Sequence, residues 1–179
     1  MKSLKPLLLS ALLLTAVLAK EKIMLSSDSV IRGEHFQSDL KQVNSEALEA
    51  LNQFYKAFNH KDIKLMQKNW MNDSSIAMDN PLGGIKRGWK EIQTVYERIF
   101  SGPTEVYVEF YDFTIIDLDG GFCAVGRERG SATVGSKVID LEIRTSRVFK
   151  RNNGKYQQVH HHGSIESADL LHAYQTLVK

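Results

Sequence analysis

The sequence predicts an α+β domain in which a curved antiparallel sheet wraps around helices from the first half of the chain. In that half, apolar residues recur at three- and four-residue spacing, which is the period of an amphipathic helix. After residue 104 the pattern changes to long alternating stretches separated by Gly- and Asn-containing turns, which is typical of β-hairpins. Helices followed by an antiparallel meander place the helix layer on one face of the sheet.

Four helices are predicted, and three begin at a residue whose side chain accepts hydrogen bonds from free N–H groups: Ser45, Asp62 and Ser167. The first ends at Asn59, and the third ends before Pro103. Their apolar faces are formed by Leu48, Leu51, Phe54, Tyr55 and Phe58 in the first, Ile63, Met66 and Trp70 in the second, Trp89, Ile92, Val95, Tyr96 and Ile99 in the third, and Leu170, Leu171, Tyr174 and Leu177 in the last.

Four long strands are predicted at residues 105–118, 122–134, 137–150 and 155–165, after a short strand at 75–79 and its return at 85–87. Long alternating strands in a small domain must curl over the helix layer. The result is a cone with a cavity at its wide end, which is a common place for a small-molecule pocket.

Composition and charge exclude several classes of protein. The chain has 179 residues, of which 42% are hydrophobic and 25% charged, as in ordinary globular domains. Its formal charge of +2 comes from Lys2 and Lys5, and the remaining chain has equal numbers of basic and acidic residues. A neutral domain lacks the basic surface that nucleic acid requires, so no nucleic-acid partner is predicted.

The first residues have the pattern of a secretory signal peptide. Residues 1–19 combine a basic start, a short apolar run and a small residue at the expected cleavage point, Ala19. The run is too short for a membrane span, although an uncleaved anchor is the alternative. We therefore expect a periplasmic or secreted protein without a stable membrane span after cleavage, with a linker at 20–44 and one domain at 45–178.

Several blocks of sequence resemble the SnoaL-like group of the nuclear transport factor 2-like superfamily, over about residues 44–178. The blocks are Phe54-Tyr55-Lys56-Ala57-Phe58-Asn59 with Asp62 and Trp70, Asn80-Pro81-Leu82-Gly83-Gly84 with Gly88-Trp89, Arg147-Val148-Phe149, and Gly154 to Ser164. The last block is also similar to the association domain of calmodulin-dependent kinases. The resemblance implies a cone-shaped, cystatin-like roll. Such domains include ketosteroid isomerases, polyketide cyclases, dehydratases and non-catalytic assembly domains.

Three consecutive histidines lie inside the last predicted strand. Side chains alternate along a strand, so His160 and His162 face one side and His161 faces the other. His160 and His162 would be ~6.6 Å apart, close enough to bind one substrate group. No spacing supplies a third metal ligand, so no metal is predicted. Burial of His161 would lower its pKa, which suits a catalytic base.

Arg147 continues an apolar stripe of the third long strand, after Ile143 and Thr145. It either extends to the rim of the cone or holds a carboxylate in the pocket, and the resemblance favours the pocket. Asp79 is a second candidate base if it points into the cone mouth; ordinary turn chemistry is the alternative. The aromatic residues Tyr55, Trp70 and Trp89 are expected to line the same mouth or to pack in the core.

Three functions remain open. The first is a pocket that binds a small, partly apolar and anionic molecule, with Arg147, Tyr55, Trp70, Trp89, His160 and His162 as ligand-binding residues. The second is an isomerase, cyclase or dehydratase, in which His161 or Asp79 removes a proton next to a carbonyl. The third is an assembly domain with an inert core. No cofactor motif occurs, and a homodimer through the outer sheet face is expected.

Overall fold

A computed structural model describes residues 23–24, 29–34 and 45–178 of the chain. The predicted signal peptide at 1–19 lies outside the described residues, as does most of the predicted linker. The described part confirms the α+β fold: helices from the first half pack inside a curved, mostly antiparallel sheet.

The elements follow the predicted order closely. The helices are α1 (Ser45–Asn59), α2 (Ile63–Asn69), α3 (Gly88–Ser101) and α4 (Ala168–Leu177). The strands are β1 (Ile23–Met24), β2 (Ala77–Asp79), β3 (Lys86–Arg87), β4 (Glu105–Leu118), β5 (Gly121–Val134), β6 (Lys137–Asn152) and β7 (Lys155–Ser164). None of the described helices is long and apolar enough to cross a membrane.

Local chemistry explains where two of the helices begin. The Asp62 carboxylate accepts a hydrogen bond of 2.9 Å from the backbone N–H of Leu65, and Ser167 caps α4 in the same way through Leu170. These bonds satisfy N–H groups that have no partner within the helix. The apolar faces of α1 and α3 are then buried against the inner face of the sheet.

The strand order is β1-β4-β5-β6-β7-β2-β3. Neighbouring strands are antiparallel except β2 and β7, which run parallel with Asp79 beside His162. Two register shifts bend the sheet: one in β4 between Tyr111 and Thr114, and one between β6 and β7 at Val148 and Phe149. β-Bulges increase the local twist of a sheet, so they help this one to curl around the helices.

The described part of the segment before α1 is attached to β4. Residues 23–24 pair with β4, and Ile31 exchanges two backbone hydrogen bonds with Phe110, of 2.9 and 3.0 Å. Gly33 follows with φ +87°, and a Cβ at this position would overlap the backbone of Lys56. Only glycine therefore lets this segment approach α1 so closely.

Candidate functional site

A buried ion pair lies on the inner face of the sheet. The Arg147 guanidinium donates a hydrogen bond of 2.8 Å to Glu128, and the two side chains are 1% and 5% exposed. The Tyr55 hydroxyl donates to the same carboxylate oxygen at 2.6 Å and accepts from Arg147 at 3.3 Å. Gln158 accepts a further bond of 3.1 Å from Arg147. The charge of Arg147 is therefore balanced inside the protein.

Aromatic packing and charge keep Arg147 in its ionised form. Its guanidinium carbon lies 3.5 Å from the ring centroid of Phe54, which is a cation–π contact. Burial acts to lower the pKa of Arg147, but Tyr55 and Glu128 outweigh it and raise that pKa. Burial also holds the pKa of Tyr55 well above its usual value, so the phenol stays a neutral donor.

His161 lies beside this pair, on the same inner face. It is directly opposite Arg147 in the register of β6 and β7, and it is 7% exposed. Its Nε2 is 3.1 Å from the Thr145 hydroxyl. Burial, followed by the positive charge of Arg147, lowers the pKa of His161 well below its usual range. The imidazole is therefore neutral at physiological pH, as the sequence predicts for a buried base.

A small cavity lies between this cluster and the mouth of the cone. Its volume is about 40 Å³, enough for two or three water molecules. The polar part of its lining includes Glu128, Arg147, His161 and Tyr96. The remaining lining residues come from α1, α3, α4, β2, β4, β6 and the turn after β2: Phe54, Phe58, Met78, Asn80, Pro81, Ile99, Val106, Val108, Ile143 and Tyr174.

Asp79, His160 and His162 lie on the opposite, outer face of the sheet, so Asp79 does not point into the cone mouth, as a catalytic base there would have to. The Asp79 carboxylate is 2.7 Å from His162 Nδ1 and 3.7 Å from His160 Nε2. The reason is the parallel pairing of β2 with β7, which turns Met78 inward and Asp79 outward. Within the described residues, no group of three or more His, Cys, Asp or Glu side chains is placed to hold a metal ion.

The predicted aromatic residues are buried but do not line the cavity. Tyr55 is buried and hydrogen-bonds to both members of the ion pair. Trp70 is 1% exposed, and its backbone pairs with that of Gln158. Trp89 is buried near the start of α3. Their helical spacing therefore reflects core packing, which was the alternative interpretation of these positions.

Three residues of the polar cluster were not predicted as site residues, and one of them, Tyr96, was assigned only to the apolar face of its helix. Glu128 alternates with the exposed Arg127 and Arg129, so strand parity alone places this acid on the apolar inner face. That signal was present in the sequence. The third residue, Gln158, faces inward because Val159 is an extra residue in the register between β6 and β7, and alternation from the histidines would place it outside.

A family model for the SnoaL-like domain matches residues 47–167, and the chain belongs to this family. This match covers the first three helices, strands β2 to β7 and the cluster around Arg147, and it ends just before α4. A comparison with curated proteins finds none that matches.

Solved structures share the fold at low sequence identity. An NTF2-like protein of Streptomyces avermitilis, named as a candidate dehydratase, is 18% identical with a TM-score of 0.61, over 69% of this chain and 96% of that one. An NTF2-like superfamily protein from Salmonella enterica is 18% identical with a TM-score of 0.59, over 66% and 87%. The CaMKII hub of S. rosetta is 14% identical with a TM-score of 0.58, over 67% and 94%.

Proposed function

We propose that this protein is an exported small-molecule-binding domain whose ligand enters the cavity inside the cone. The observation that carries the proposal is the buried pair of Arg147 and Glu128 at the wall of that cavity. Burying two charges costs several kcal/mol per ion, and apolar residues of similar volume are often as stable or more so. A domain that needed only a packed core would gain little from this cluster, whereas a binding site gains polar specificity.

Two parts of the chain cover the cavity and offer a route for entry. Tyr174 lines it from α4, and it is the one residue of that helix that is fully buried. The Gln175 amide donates a bond of 2.8 Å to the Pro81 carbonyl, which joins α4 to the turn after β2. Outward movement of α4 would open the cavity and enlarge it.

The proposal is tested by filling the cavity with one methylene group. In Val108→Ile the extra group occupies part of the cavity, so binding of any ligand found by fragment screening should be lost while the fold is kept. The matched control is Val95→Ile, which adds the same group to the core on α3, outside the cavity lining. Equal binding by wild type and Val108→Ile would overturn the proposal.

The second candidate function is an enzyme that removes a proton next to a carbonyl. It is favoured by the neutral imidazole of His161 on the cavity wall, since a general base must hold its lone pair in a site shielded from water. The test is turnover of small carbonyl compounds by wild type and His161→Gln. Equal rates for the two proteins would exclude this function.

The outer sheet face is proposed to join two copies of the chain. Tyr107, Val125 and Val138 are large apolar side chains that are 42%, 43% and 60% exposed. Glu142 and Arg144 are neighbouring outward residues of β6, so a two-fold axis between them would place each against its opposite charge in the second copy. Sedimentation should show a dimer that Val125→Lys disperses and Ile85→Lys, an exposed apolar residue before β3, does not.

Export is tested separately. The mature protein recovered from the native host should begin near Lys20 and lie outside the cytoplasm. If the protein recovered outside the cytoplasm still begins at Met1, the leader is not cleaved and acts as an anchor.

A further inference from the structure

We infer that the cavity inside the cone takes a neutral molecule that presents a hydroxyl group to His161 and Tyr96. The inference rests on the proposed function and names the chemical class of its ligand. Three observations carry it: the internal balance of charge at Arg147, the direction of one hydrogen bond at Thr145, and two buried polar atoms that lack a partner.

The charge balance excludes an ionic ligand. Arg147 is already paired with Glu128, Tyr55 and Gln158, so its positive charge is balanced within the chain. A ligand carboxylate would place a second negative charge near Glu128 in a region of low dielectric, where like charges repel strongly. A cation would meet the same repulsion from Arg147. The carboxylate that Arg147 holds belongs to Glu128 of the same chain, whereas the prediction from sequence was a ligand carboxylate or a position at the rim.

The hydrogen bond of Thr145 fixes the position of the proton on His161. The Thr145 hydroxyl donates its one hydrogen to the backbone carbonyl of His162, at 2.9 Å. It must therefore accept the 3.1 Å bond from His161 Nε2, which carries the proton of the neutral ring. The other ring nitrogen, Nδ1, is then a hydrogen-bond acceptor.

His161 Nδ1 and the Tyr96 hydroxyl are buried, and neither finds a hydrogen-bond partner among the residues that the structure describes. The Tyr96 hydroxyl lies near the Trp70 indole and Arg147 without hydrogen-bond geometry to either, and burial raises the pKa of Tyr96 to about 12. Tyr96 therefore keeps its proton and is a donor, His161 Nδ1 is an acceptor, and both residues line the same cavity.

A hydroxyl group is complementary to this pair, because it donates one hydrogen bond and accepts others. A ketone would satisfy Tyr96 and leave Nδ1 without a donor. Leaving a buried polar atom unpaired costs more than the bond itself contributes, so the site should discriminate against such a ligand.

The experiment uses the full chain with 15N-labelled histidine and ethanol, acetone and acetate as probes at matched concentrations. Ethanol should shift the Nδ1 resonance of His161 and the methyl resonances of Val108 and Ile143, which line the cavity. Acetone should bind less tightly and leave Nδ1 unchanged, and acetate should not bind. In His161→Phe the affinity for ethanol should fall about tenfold, whereas the control His162→Gln should bind as wild type does.

The outcomes separate this inference from the proposed function. Acetone or acetate binding at the cavity methyl groups as tightly as ethanol overturns the hydroxyl requirement and leaves the pocket intact. If the cavity methyl groups respond to none of the three probes, the hydroxyl inference is overturned. If, in addition, Val108→Ile leaves the binding of every other ligand unchanged, the proposed function is overturned as well. If His161→Phe does not fold, the Nδ1 resonance of wild type decides alone: a shift with ethanol supports the inference, and none refutes it.

Discussion

The two faces of β7 carry the same residue type in very different surroundings. His161 faces the core, where it meets Arg147 and Thr145 and its pKa is lowered by burial. His160 and His162 face outward to Asp79, and their side chains are 39% and 47% exposed. The comparison shows that the surroundings of a histidine on this strand depend on the face of the sheet, because the inner face is buried and the outer face is accessible.

The largest expected effect comes from breaking the inner ion pair. Arg147→Ala would leave Glu128 buried without its partner and should lower the free energy of unfolding by about 3–5 kcal/mol. The outer pair of Arg144 and Glu166 spans 2.9 Å, but its side chains are 53% and 62% exposed, so Arg144→Ala should cost under about 1 kcal/mol. Denaturant unfolding measures both, and equal losses would contradict the distinction between the faces.

The second-largest difference in unfolding free energy is expected when a methyl group is added to the inner face of the sheet. A Cβ at Gly126, on the inner face, would lie 2.5 Å from Phe113 Cβ and 2.8 Å from the Phe110 ring. Gly126→Ala should therefore lower the unfolding free energy by about 1–3 kcal/mol. Ile85→Ala, at an exposed position before β3 and outside the proposed dimer face, should change it by less than about 1 kcal/mol. A Gly126→Ala protein as stable as wild type would show that the inner face repacks freely.

Acid should destabilise the protein through His161. Its pKa is lower in the folded chain than in the unfolded one, so the unfolded chain binds the extra proton as the pH falls below about 6.5. Stability should fall by up to about 1.4 kcal/mol per pH unit until the folded pKa is reached.

This acid sensitivity is measured as the unfolding free energy between pH 7 and pH 5. The contribution of His161 should disappear in His161→Phe and persist in His162→Gln, which changes a histidine on the outer face of the same strand. The assignment to His161 fails if the slope is the same in all three proteins.

The smallest effect is expected at Asp79. Its bond to His162 lies at a partly exposed site, with side chains 35% and 47% exposed. Asp79→Asn should change the unfolding free energy by at most about 1 kcal/mol and leave ligand binding in the cone unaltered. Loss of ligand binding in this variant would show that the outer face contributes to the site.

Most of the fold could be predicted from sequence because helix and strand periods are local signals. The ends of the four long strands agree with prediction within about two residues, since Asn- and Gly-containing turns mark them. The pairing of residues 23–24 and 31 with β4 had no such signal, because these short stretches have no periodicity. Their backbone positions depend on tertiary contacts.

The site was predicted in part. Alternation along β6 places Arg147 on the inner face, and alternation along β7 places His161 there; for Arg147 the structure shows the buried alternative and not the rim. Asp79 could not be placed, because its orientation depends on which strand β2 joins and in which direction. Gln158 was hidden by the extra residue at Val159, which interrupts the alternation that a sequence displays.

That extra residue has a consequence for the inheritance of the site. Gln158 and His161 both face inward although they are three residues apart, because Val159 is an extra residue between them. Loss of this one codon would restore regular alternation, with Gln158 still opposite Phe149 and His161 still opposite Arg147. Descendants of this protein can therefore lose the bulge, and the local twist that it gives the sheet, without changing which histidine faces the arginine.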